Sequence, residues 1–169
     1  MTKLRLFIKK DSELVSKLLL SVFHEFNLDG VSEEGINFFD ENHFPDKIRK
    51  DWAIRYAVIE KDKRIMVVQP YAYSLVAIEG DSIIGAGRAK YDGWITHCFV
   101  SPEHIRNGIG KDLIGRMETW ISKKPEINFI RLNASPFGLG FYEHLGYKKT
   151  TGIRIYHGLP IYPMKKLIR

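Results

Sequence analysis

The chain has 169 residues, 44% of them hydrophobic, and this length predicts one domain, residues 1–169, with its own hydrophobic core. No apolar run approaches the roughly 20 residues of a membrane helix, and the single cysteine, Cys98, excludes an internal disulfide, so we expect a cytoplasmic protein without a membrane partner. The formal net charge of +6 allows a polyanionic partner, but the basic residues are scattered and form no tract with interleaved aromatic residues, so nucleic-acid binding is kept only as an alternative.

The N-terminal part predicts one strand followed by two helices. Residues 4–8 alternate in the way that is typical of a strand and predict a first strand. Asp11 or Ser12 then precedes apolar residues at helical spacing as far as Phe26, which predicts a capped helix. Residues 32–34 predict the start of a second helix.

The region 45–70 combines two patterns. Its first part has helical spacing, and the residues concerned are Ile48, Trp52, Arg55, Tyr56 and Ile59. Its second part, 65–68, is a short apolar run that predicts a strand.

Residues 74–100 predict an antiparallel meander of strands. Gly80-Asp81 and Asp92-Gly93 separate the apolar runs, and both pairs are typical turn sequences.

The C-terminal part returns to alternating helices and strands. An apolar stripe after Gly108 predicts a helix that packs on the sheet, and 127–132 predict another strand. A short helix through Phe141-Tyr142 and one or two final strands follow. The predicted order is βααβββαβαβ, which indicates an α+β protein with a mixed sheet flanked by helices.

The junction at residues 100–111 carries the clearest chemical signal. An apolar strand leads into a loop that ends Gly108-Ile109-Gly110, and a helix pattern begins at once. Such a junction presents free backbone N–H groups at the positive end of a helix, which suits phosphate or pyrophosphate. The two glycines would let a ligand approach the main chain without a Cβ in the way.

Two specific phosphate motifs are excluded at this junction. A Walker A loop would need glycine at Ile105 and serine or threonine at Asp112, and a dinucleotide fingerprint would need glycine at Leu113. A generic phosphate loop and a tight turn without a ligand both remain.

Three segments together resemble the GNAT superfamily of acetyl-CoA-dependent N-acetyltransferases: 98–103 (CFVSPE), 108–111 (GIGK) and 141–147 (FYEHLGY). The resemblance implies the GNAT fold, an α/β (α+β) architecture with a mixed, mostly antiparallel central sheet that splays at the cofactor site and has helices on both faces. It also implies acetyl-CoA as cofactor and, because members of the family are often dimers, a homodimer as one arrangement.

The resemblance implies a set of cofactor contacts. The main chain of the strand at Cys98, Phe99 and Val100 would pair with the pantetheine amides. Pyrophosphate would be held by the loop N–H groups of Arg106, Asn107, Gly108, Ile109, Gly110 and Lys111. The family usually has Arg or Gln where this chain has Ile105, so we expect a mostly main-chain grip. Asn133 and Ser135 are further candidates for cofactor contacts.

Amide formation needs an acid and a base. By resemblance, Tyr142 would lie near the thioester sulfur as general acid; the alternative is a core tyrosine on a short helix. Candidates for the base are Glu79, Asp92 and His97, of which His97 is preferred because its neutral form titrates near physiological pH. The alternative for His97 is a partly buried side chain on the face opposite the cofactor, with water carrying the proton.

The other catalytic elements follow from direct attack of the amine. The main-chain N–H of Phe99 or Val100 is the oxyanion donor by analogy with the family. No acyl-enzyme nucleophile is needed, and Cys98 in its apolar strand is expected to be buried. The remaining histidines have no spacing typical of metal ligands, so no metal site is predicted.

The expected acceptor is a primary amine of a small molecule or peptide. Aromatic residues in the region that forms the family's substrate pocket could line it or pack in the core; they are Phe23, Phe26, Phe38, Phe39, Trp52, Tyr71 and Tyr73. No acidic cluster suits a polycationic acceptor. The alternative function is an acyl-CoA-binding GNAT module that senses without catalysis.

Overall fold

A computed structural model describes residues 2–53, 56–61 and 64–168, and gives only the backbone for 56–61 and 64–70. The helices are α1 (Ser12–Phe26), α2 (Glu33–His43), α3 (Pro45–Asp51), α4 (Ile109–Ser122) and α5 (Leu139–His144). The strands are β1 (Lys3–Leu6), β2 (Tyr56–Lys61), β3 (Arg64–Pro70), β4 (Ala72–Glu79), β5 (Ser82–Lys90), β6 (Ile95–Val100), β7 (Phe129–Ala134), β8 (Lys148–Lys149), β9 (Arg154–Tyr156) and β10 (Leu159–Leu167). Short 3-10 turns cover Lys9–Asp11 and Pro102–His104.

The strands form two larger sheets and one hairpin. The first sheet has the order β1-β4-β5-β6, and the second has β7-β10-β8 with β9 on β10; every pairing within them is antiparallel. One isolated parallel bridge, between Trp94 and Arg131, connects the two sheets. The predicted mixed, mostly antiparallel sheet is therefore confirmed.

The predicted N-terminal elements are confirmed, with one difference at the first helix. Ser32 caps α2, because its hydroxyl oxygen accepts the Gly35 N–H at 3.2 Å. Asp11 takes the capping position of α1 but makes no side-chain cap bond. Its carboxylate instead accepts two hydrogen bonds from the Arg5 guanidinium, at 2.6 and 2.8 Å, and thereby ties β1 to α1.

The helix predicted to continue from Ile48 through Tyr56 and Ile59 is wrong in its second half. It ends at Asp51, and Tyr56 begins β2, which pairs with β3. Residues spaced for a helix also alternate in this stretch, and pairing with a neighbouring strand satisfies the backbone in the extended form. Arg55 lies outside the described residues, whereas the strand predicted at 65–68 is confirmed as part of β3.

Both faces of the first sheet are covered. Leu75 and Ala77 of β4 belong to the core under α4, whereas Val76 belongs to the core under α1, α2 and α3. Because β4 is buried on both faces, its run from Leu75 to Ile78 is continuously apolar rather than alternating. None of the helices in the described part of the chain is long and apolar enough to cross a membrane.

Glycines 85 and 87 of β5 bring α4 close to the sheet. A Cβ at Gly85 would lie 3.0 Å from Ile109, and one at Gly87 would lie 2.9 Å from Met117. Both contacts would force Ile109 or Met117 to shift, so the absence of side chains at these glycines lets α4 pack close to the sheet.

The turn of the β9–β10 hairpin packs against the start of α2. Its turn residues, His157 and Gly158, have φ of 46° and 75°, as a type I′ turn requires. The Ser32 N–H donates to the Gly158 carbonyl at 3.1 Å, and a Cβ at Gly158 would lie 2.5 Å from the Gly35 nitrogen. This contact positions the hairpin residues that border the cleft described below.

Replacing Gly158 by alanine tests the contact between the hairpin turn and α2. We expect Gly158→Ala to lower the free energy of unfolding by about 3 kcal/mol, because it combines a left-handed backbone with a collision against the α2 backbone. Urea unfolding measures the change. The matched control is Gly80→Ala, since Gly80 also has a positive φ but nothing lies within 4 Å of its missing Cβ. Gly80→Ala should lower the free energy of unfolding by only about 1–2 kcal/mol. Equal losses in the two variants would contradict the proposed contact between the hairpin turn and α2.

Candidate active site at the splay between two strands

Strands β6 and β7 run parallel, and one bridge joins them where β6 begins, at Trp94 and Arg131. The Arg131 N–H donates to the Gly93 carbonyl at 2.9 Å, beside the Trp94–Arg131 bridge. Past this bridge no ladder joins β6 to β7 in the described chain, although β6 stays paired with β5 on its other side. One edge of β6 is thus open.

A cleft of about 1380 Å³ opens at this divergence. Its walls come from the helices α1 and α2, the strand β6, the loop before α4, and α5. The predicted site residues that line it are His97, Cys98, Phe99, Val100, Arg106, Gly108, Gly110, Lys111, Asn133, Ser135 and Tyr142. Asn107 does not line it, and the Ile109 side chain is 5% exposed and packs in the core instead, so this residue can offer a ligand only main-chain groups.

The loop before α4 presents part of the predicted set of N–H groups, because the Asn107 N–H donates to the His104 carbonyl at 3.4 Å and is not free for a ligand. The first intrahelical bond of α4 runs from the Asp112 N–H to the Gly108 carbonyl at 3.0 Å. The N–H groups of residues 108–111 therefore precede the hydrogen-bond ladder of a 14-residue helix. Arg106 and Gly108 both have a positive φ, 69° and 83°, which turns the chain sharply into the helix. The result is an electropositive end directed at the cleft.

The two glycines of this loop have different roles, which corrects the sequence-based expectation. Gly108 is required by its left-handed backbone, and nothing lies within 4 Å of its missing Cβ. At Gly110 a Cβ would lie 3.2 Å from the ring of Phe141. Gly110 therefore serves the packing of α4 against α5, and the Gly-x-Gly and Phe-Tyr motifs are in direct contact.

Tyr142 extends into the cleft from α5. Its ring packs over Gly138, where an added Cβ would lie 3.3 Å from the ring. The ring also contacts the rings of Phe141 and Tyr147 edge-on. Burial, followed by the nearby Cys98, raises the pKa of Tyr142 well above its ordinary value of 10.0. The hydroxyl stays protonated, and it makes no hydrogen bond to any other described residue, so it is available to a ligand.

Ser135 and Asn133 lie on the same side of the cleft as Tyr142. The Ser135 hydroxyl oxygen accepts the Gly138 N–H at 3.2 Å, which shapes the turn into α5 and leaves its own proton free to donate. Asn133 is an exposed residue of β7. Both side chains border the open edge of β6.

Alternation along β6 separates its side chains between the two cores. Cys98 and Val100 pack against the core under α4, whereas Phe99 packs against the core of α1, α2 and α3. His97 lies on the Phe99 side, with its ring 5.1 Å from Trp52. His97 is therefore on the face of β6 opposite Cys98, the placement considered as an alternative in the sequence, yet it still lines the cleft.

Only one of the three candidate bases borders the cleft. Glu79 pairs with His104 at 3.3 Å at the far end of β4, and Asp92 lies in the β5–β6 turn, where its carboxylate accepts the Trp94 N–H. Neither lines the cleft. Burial, followed by the electrostatic effects of His43, Arg88 and Lys90, holds the pKa of His97 well below its ordinary value of 6.5, so the imidazole is neutral at pH 7. The expectation that His97 titrates near physiological pH is therefore wrong, because this ring is buried beside cationic side chains.

The sequence pattern missed one partner of this site, His43. His43 lies 54 residues before His97, and their Nε2 atoms are 2.9 Å apart. No local spacing signals this pair, because α2 and β6 meet only in the folded chain. Of the aromatic residues proposed for the pocket, Tyr71 and Tyr73 do not line the cleft, and Tyr73 stacks on Trp120 instead.

The family model of the acetyltransferase (GNAT) domain matches residues 28–168. This span is most of the chain, so the chain belongs to the GNAT acetyltransferase family, whose cofactor is acetyl-CoA. The family predicted from the three motifs is confirmed. A search among curated proteins finds no match to the sequence.

Solved structures share the fold over the whole chain. A GCN5-related N-acetyltransferase from Rhodopseudomonas palustris has a TM-score of 0.77 at 16% identity, covering 99% of this chain and 96% of that chain. The PaiA N-acetyltransferase from Thermoplasma acidophilum, in complex with coenzyme A, has a TM-score of 0.74 at 20% identity, covering 99% of both chains. The aminoglycoside acetyltransferase AAC(6')-Ib, in complex with coenzyme A, has a TM-score of 0.61 at 13% identity, covering 99% and 95%.

The Cys98 thiol should be chemically inert in the native protein. Burial raises its pKa to about 12, so the reactive thiolate is rare at pH 8. We expect iodoacetamide to modify native Cys98 about 100-fold or more slowly than the same protein unfolded in urea. Mass spectrometry follows the modification, and Cys98→Ala gives the background. Labelling at the rate of an unfolded thiol would reopen a nucleophilic role for Cys98.

Proposed function

We propose that the protein is an N-acetyltransferase that transfers the acetyl group of acetyl-CoA to a primary amine by direct attack of that amine. One observation carries the proposal: the N-terminus of α4, the open edge of β6 and the unpartnered hydroxyl of Tyr142 all border one cleft. Membership of the GNAT acetyltransferase family supports it.

The residues around the cleft fit acetyl-CoA. The N–H groups of residues 108–111 suit the pyrophosphate, and the side chains of Arg106 and Lys111 add positive charge at the same end. The open edge of β6 at residues 98–100 suits the pantetheine amides, since its backbone groups on this side have no neighbouring strand. Ile105 also lines this end, so the grip is mostly main-chain.

When bound, acetyl-CoA supplies a thioester whose carbonyl carbon accepts an amine. His97, neutral at pH 7, accepts the proton that the amine must lose. Tyr142, held protonated, donates a proton towards the sulfur that departs. The main-chain N–H of Phe99 or Val100 donates to the oxygen on which negative charge develops. Direct attack is the proposed route because the raised pKa of Cys98 leaves no reactive thiolate.

The part of the cleft beside α1 and α2, where we place the acceptor amine, is lined by aromatic and cationic side chains. Rings of Phe26 and Phe137 stack at 4.7 Å, and Phe38 stacks on His157 at 4.3 Å. Among the described residues that line the cleft, Asp51 is the only one with a carboxylate. A polycation would lose its hydration here without acidic partners, so we propose an amine with an apolar or aromatic body and one positive charge. The charged residues facing this part of the cleft are Lys47, Asp51, Arg88 and Lys90.

Removing the Tyr142 hydroxyl tests whether it acts in catalysis and not in coenzyme A binding. We expect Tyr142→Phe to lower kcat about 100-fold, because the proton donor is lost, while the Kd of coenzyme A changes little. Free thiol release measures turnover, and calorimetry measures binding. The control is Tyr162→Phe, which removes a hydroxyl outside the cleft and should leave both quantities unchanged.

The same experiment distinguishes the alternative function. Tight coenzyme A binding by the wild-type protein, with no thiol release for any amine, would indicate an acyl-CoA sensor. Unchanged turnover in Tyr142→Phe would remove Tyr142 from the mechanism.

The charge of the cleft predicts the preferred acceptor. We expect kcat/KM for phenylethylamine to exceed that for kanamycin by about tenfold or more, because the lining repels a polycation. Lys90→Glu should reduce this preference by adding a carboxylate to the lining, whereas Lys123→Glu, on an exposed residue outside the cleft, should not. Equal or better acetylation of kanamycin by the wild-type protein would contradict the proposed acceptor class. Structures of AAC(6')-Ib in complex with kanamycin supply the contrasting case.

A further inference from the structure

A pair of histidines joins the last residue of α2 to the middle of β6. The Nε2 atoms of His43 and His97 lie 2.9 Å apart, within hydrogen-bond distance. His43 is 8% exposed and stacks on Phe39, with ring centroids 3.9 Å apart. The Ser16 hydroxyl donates to the His43 carbonyl, which ties this end of α2 to α1. The ring of His43 is therefore held in one orientation.

The hydrogen bonds of this pair determine which nitrogen carries each proton. The Phe39 carbonyl can only accept, and it lies 2.6 Å from His43 Nδ1, so His43 Nδ1 carries a proton. Burial lowers the pKa of His43, against the opposing effects of the Phe39 carbonyl and of Asp40, so the ring is neutral. Its Nε2 then has a lone pair, and His97 Nε2 must be the donor between the two rings.

The second nitrogen of His97 is consequently an acceptor. Its Nδ1 lies 2.8 Å from the Thr96 hydroxyl oxygen, which also lies 3.3 Å from the Arg88 carbonyl. Because both of these neighbours can only accept once His97 carries its proton on Nε2, we infer that the Thr96 hydroxyl donates to the nearer one, His97 Nδ1. Thr96 is the extra residue of a bulge, since Arg88 pairs with His97 and Ala89 with Ile95. Thr96 is exposed and lines the cleft, so it lies between His97 and the space of the cleft in the proposed route.

We propose that His43 is a positioning residue, which holds His97 in the Nε2–H tautomer so that His97 Nδ1, through the Thr96 hydroxyl, takes the proton of the acetyl-accepting amine. This role rests on the proposed N-acetyltransferase function. Without His43, the proton of His97 could occupy Nδ1, and the lone pair would then face α2 rather than the cleft.

The proton transfer balances over three atoms. The ammonium nitrogen of the acceptor loses one proton to Thr96 Oγ1, while the Thr96 hydroxyl proton moves to His97 Nδ1. The acceptor becomes a neutral amine, and His97 becomes an imidazolium whose Nε2–H is still donated to His43. After transfer the proton returns from His97 Nδ1 to solvent by the same path.

The charged groups around His97 act against prolonged protonation. Arg88 and Lys90 of β5 place positive charge near His97, the neutral His43 of α2 also lowers the pKa of His97, and the Asp40 carboxylate acts on His43. The aromatic neighbours, Trp52 and Phe99, are uncharged. A proton that reaches His97 is therefore released readily, as turnover requires.

The tautomers can be observed directly in the wild-type protein. We expect a long-range 1H–15N spectrum of the full chain at pH 7, without ligand, to show His97 protonated at Nε2 and His43 protonated at Nδ1. A His97 ring protonated at Nδ1 would overturn the proposal without any variant having to fold.

Two substitutions test the consequence for catalysis. His43→Phe keeps a ring on Phe39 but removes the acceptor, so we expect kcat to fall about tenfold or more, with an unchanged KM for acetyl-CoA and a mixture of His97 tautomers. His43→Gln restores an acceptor oxygen and should recover most of kcat and the Nε2–H tautomer. The control is His24→Gln, an exposed residue outside the cleft, which should change neither quantity.

The outcomes separate this inference from the proposed function. Equal loss of kcat in both His43 variants, with the His97 tautomer unchanged, would show a merely structural role and overturn the inference while leaving the acetyltransferase function intact. If no amine is acetylated by the wild-type protein, the proposed function fails. The His97 tautomer in wild type and in His43→Phe then still decides whether His43 positions the ring.

Discussion

The single parallel contact between β6 and β7 is the constraint on which the rest of the site depends. Arg131 of β7 holds this contact through the turn before β6. Its N–H donates to the Gly93 carbonyl, and its guanidinium donates to the Asp92 carbonyl at 3.0 Å. The guanidinium also lies 5.3 Å from the Trp94 ring centre. A second bridge would close the sheet and pair the backbone of β6. With one bridge, that backbone needs partners from a ligand, because unpaired buried amides are costly.

The contact between Gly110 and Phe141 fixes the position of α4 relative to α5. It joins the N-terminus of α4 to the helix that carries Tyr142, so the proposed phosphate site and the proposed proton donor keep a fixed separation. The same packing needs α4 close to the sheet, which Gly85 and Gly87 permit. Gly85, Gly87 and Gly110 therefore act by omitted volume, whereas Gly108 is required by its left-handed backbone in the loop before α4.

Much of the fold follows from local patterns. The strands β4, β5 and β6 and the helix α4 were predictable because turn residues separate long periodic segments. The region after Ile48 was not, since its apolar residues satisfy both helical spacing and a strand, and pairing between β2 and β3 decides between them. The phosphate loop and Tyr142 were predictable as motifs. The candidate base was less predictable, because the sequence offered Glu79 and Asp92 beside the preferred His97, and only the cleft separates His97 from the other two.

By itself, the sequence determined the family, the order of its main elements and the two motifs, since these depend on residues near one another in the chain. Only the tertiary structure decided which face of β6 each side chain takes, that Gly110 contacts Phe141, and that His43 meets His97. The physical reason is the same in each case. Hydrogen bonds and ring contacts act over a few ångströms in space, and residues 54 positions apart carry no local signal of meeting.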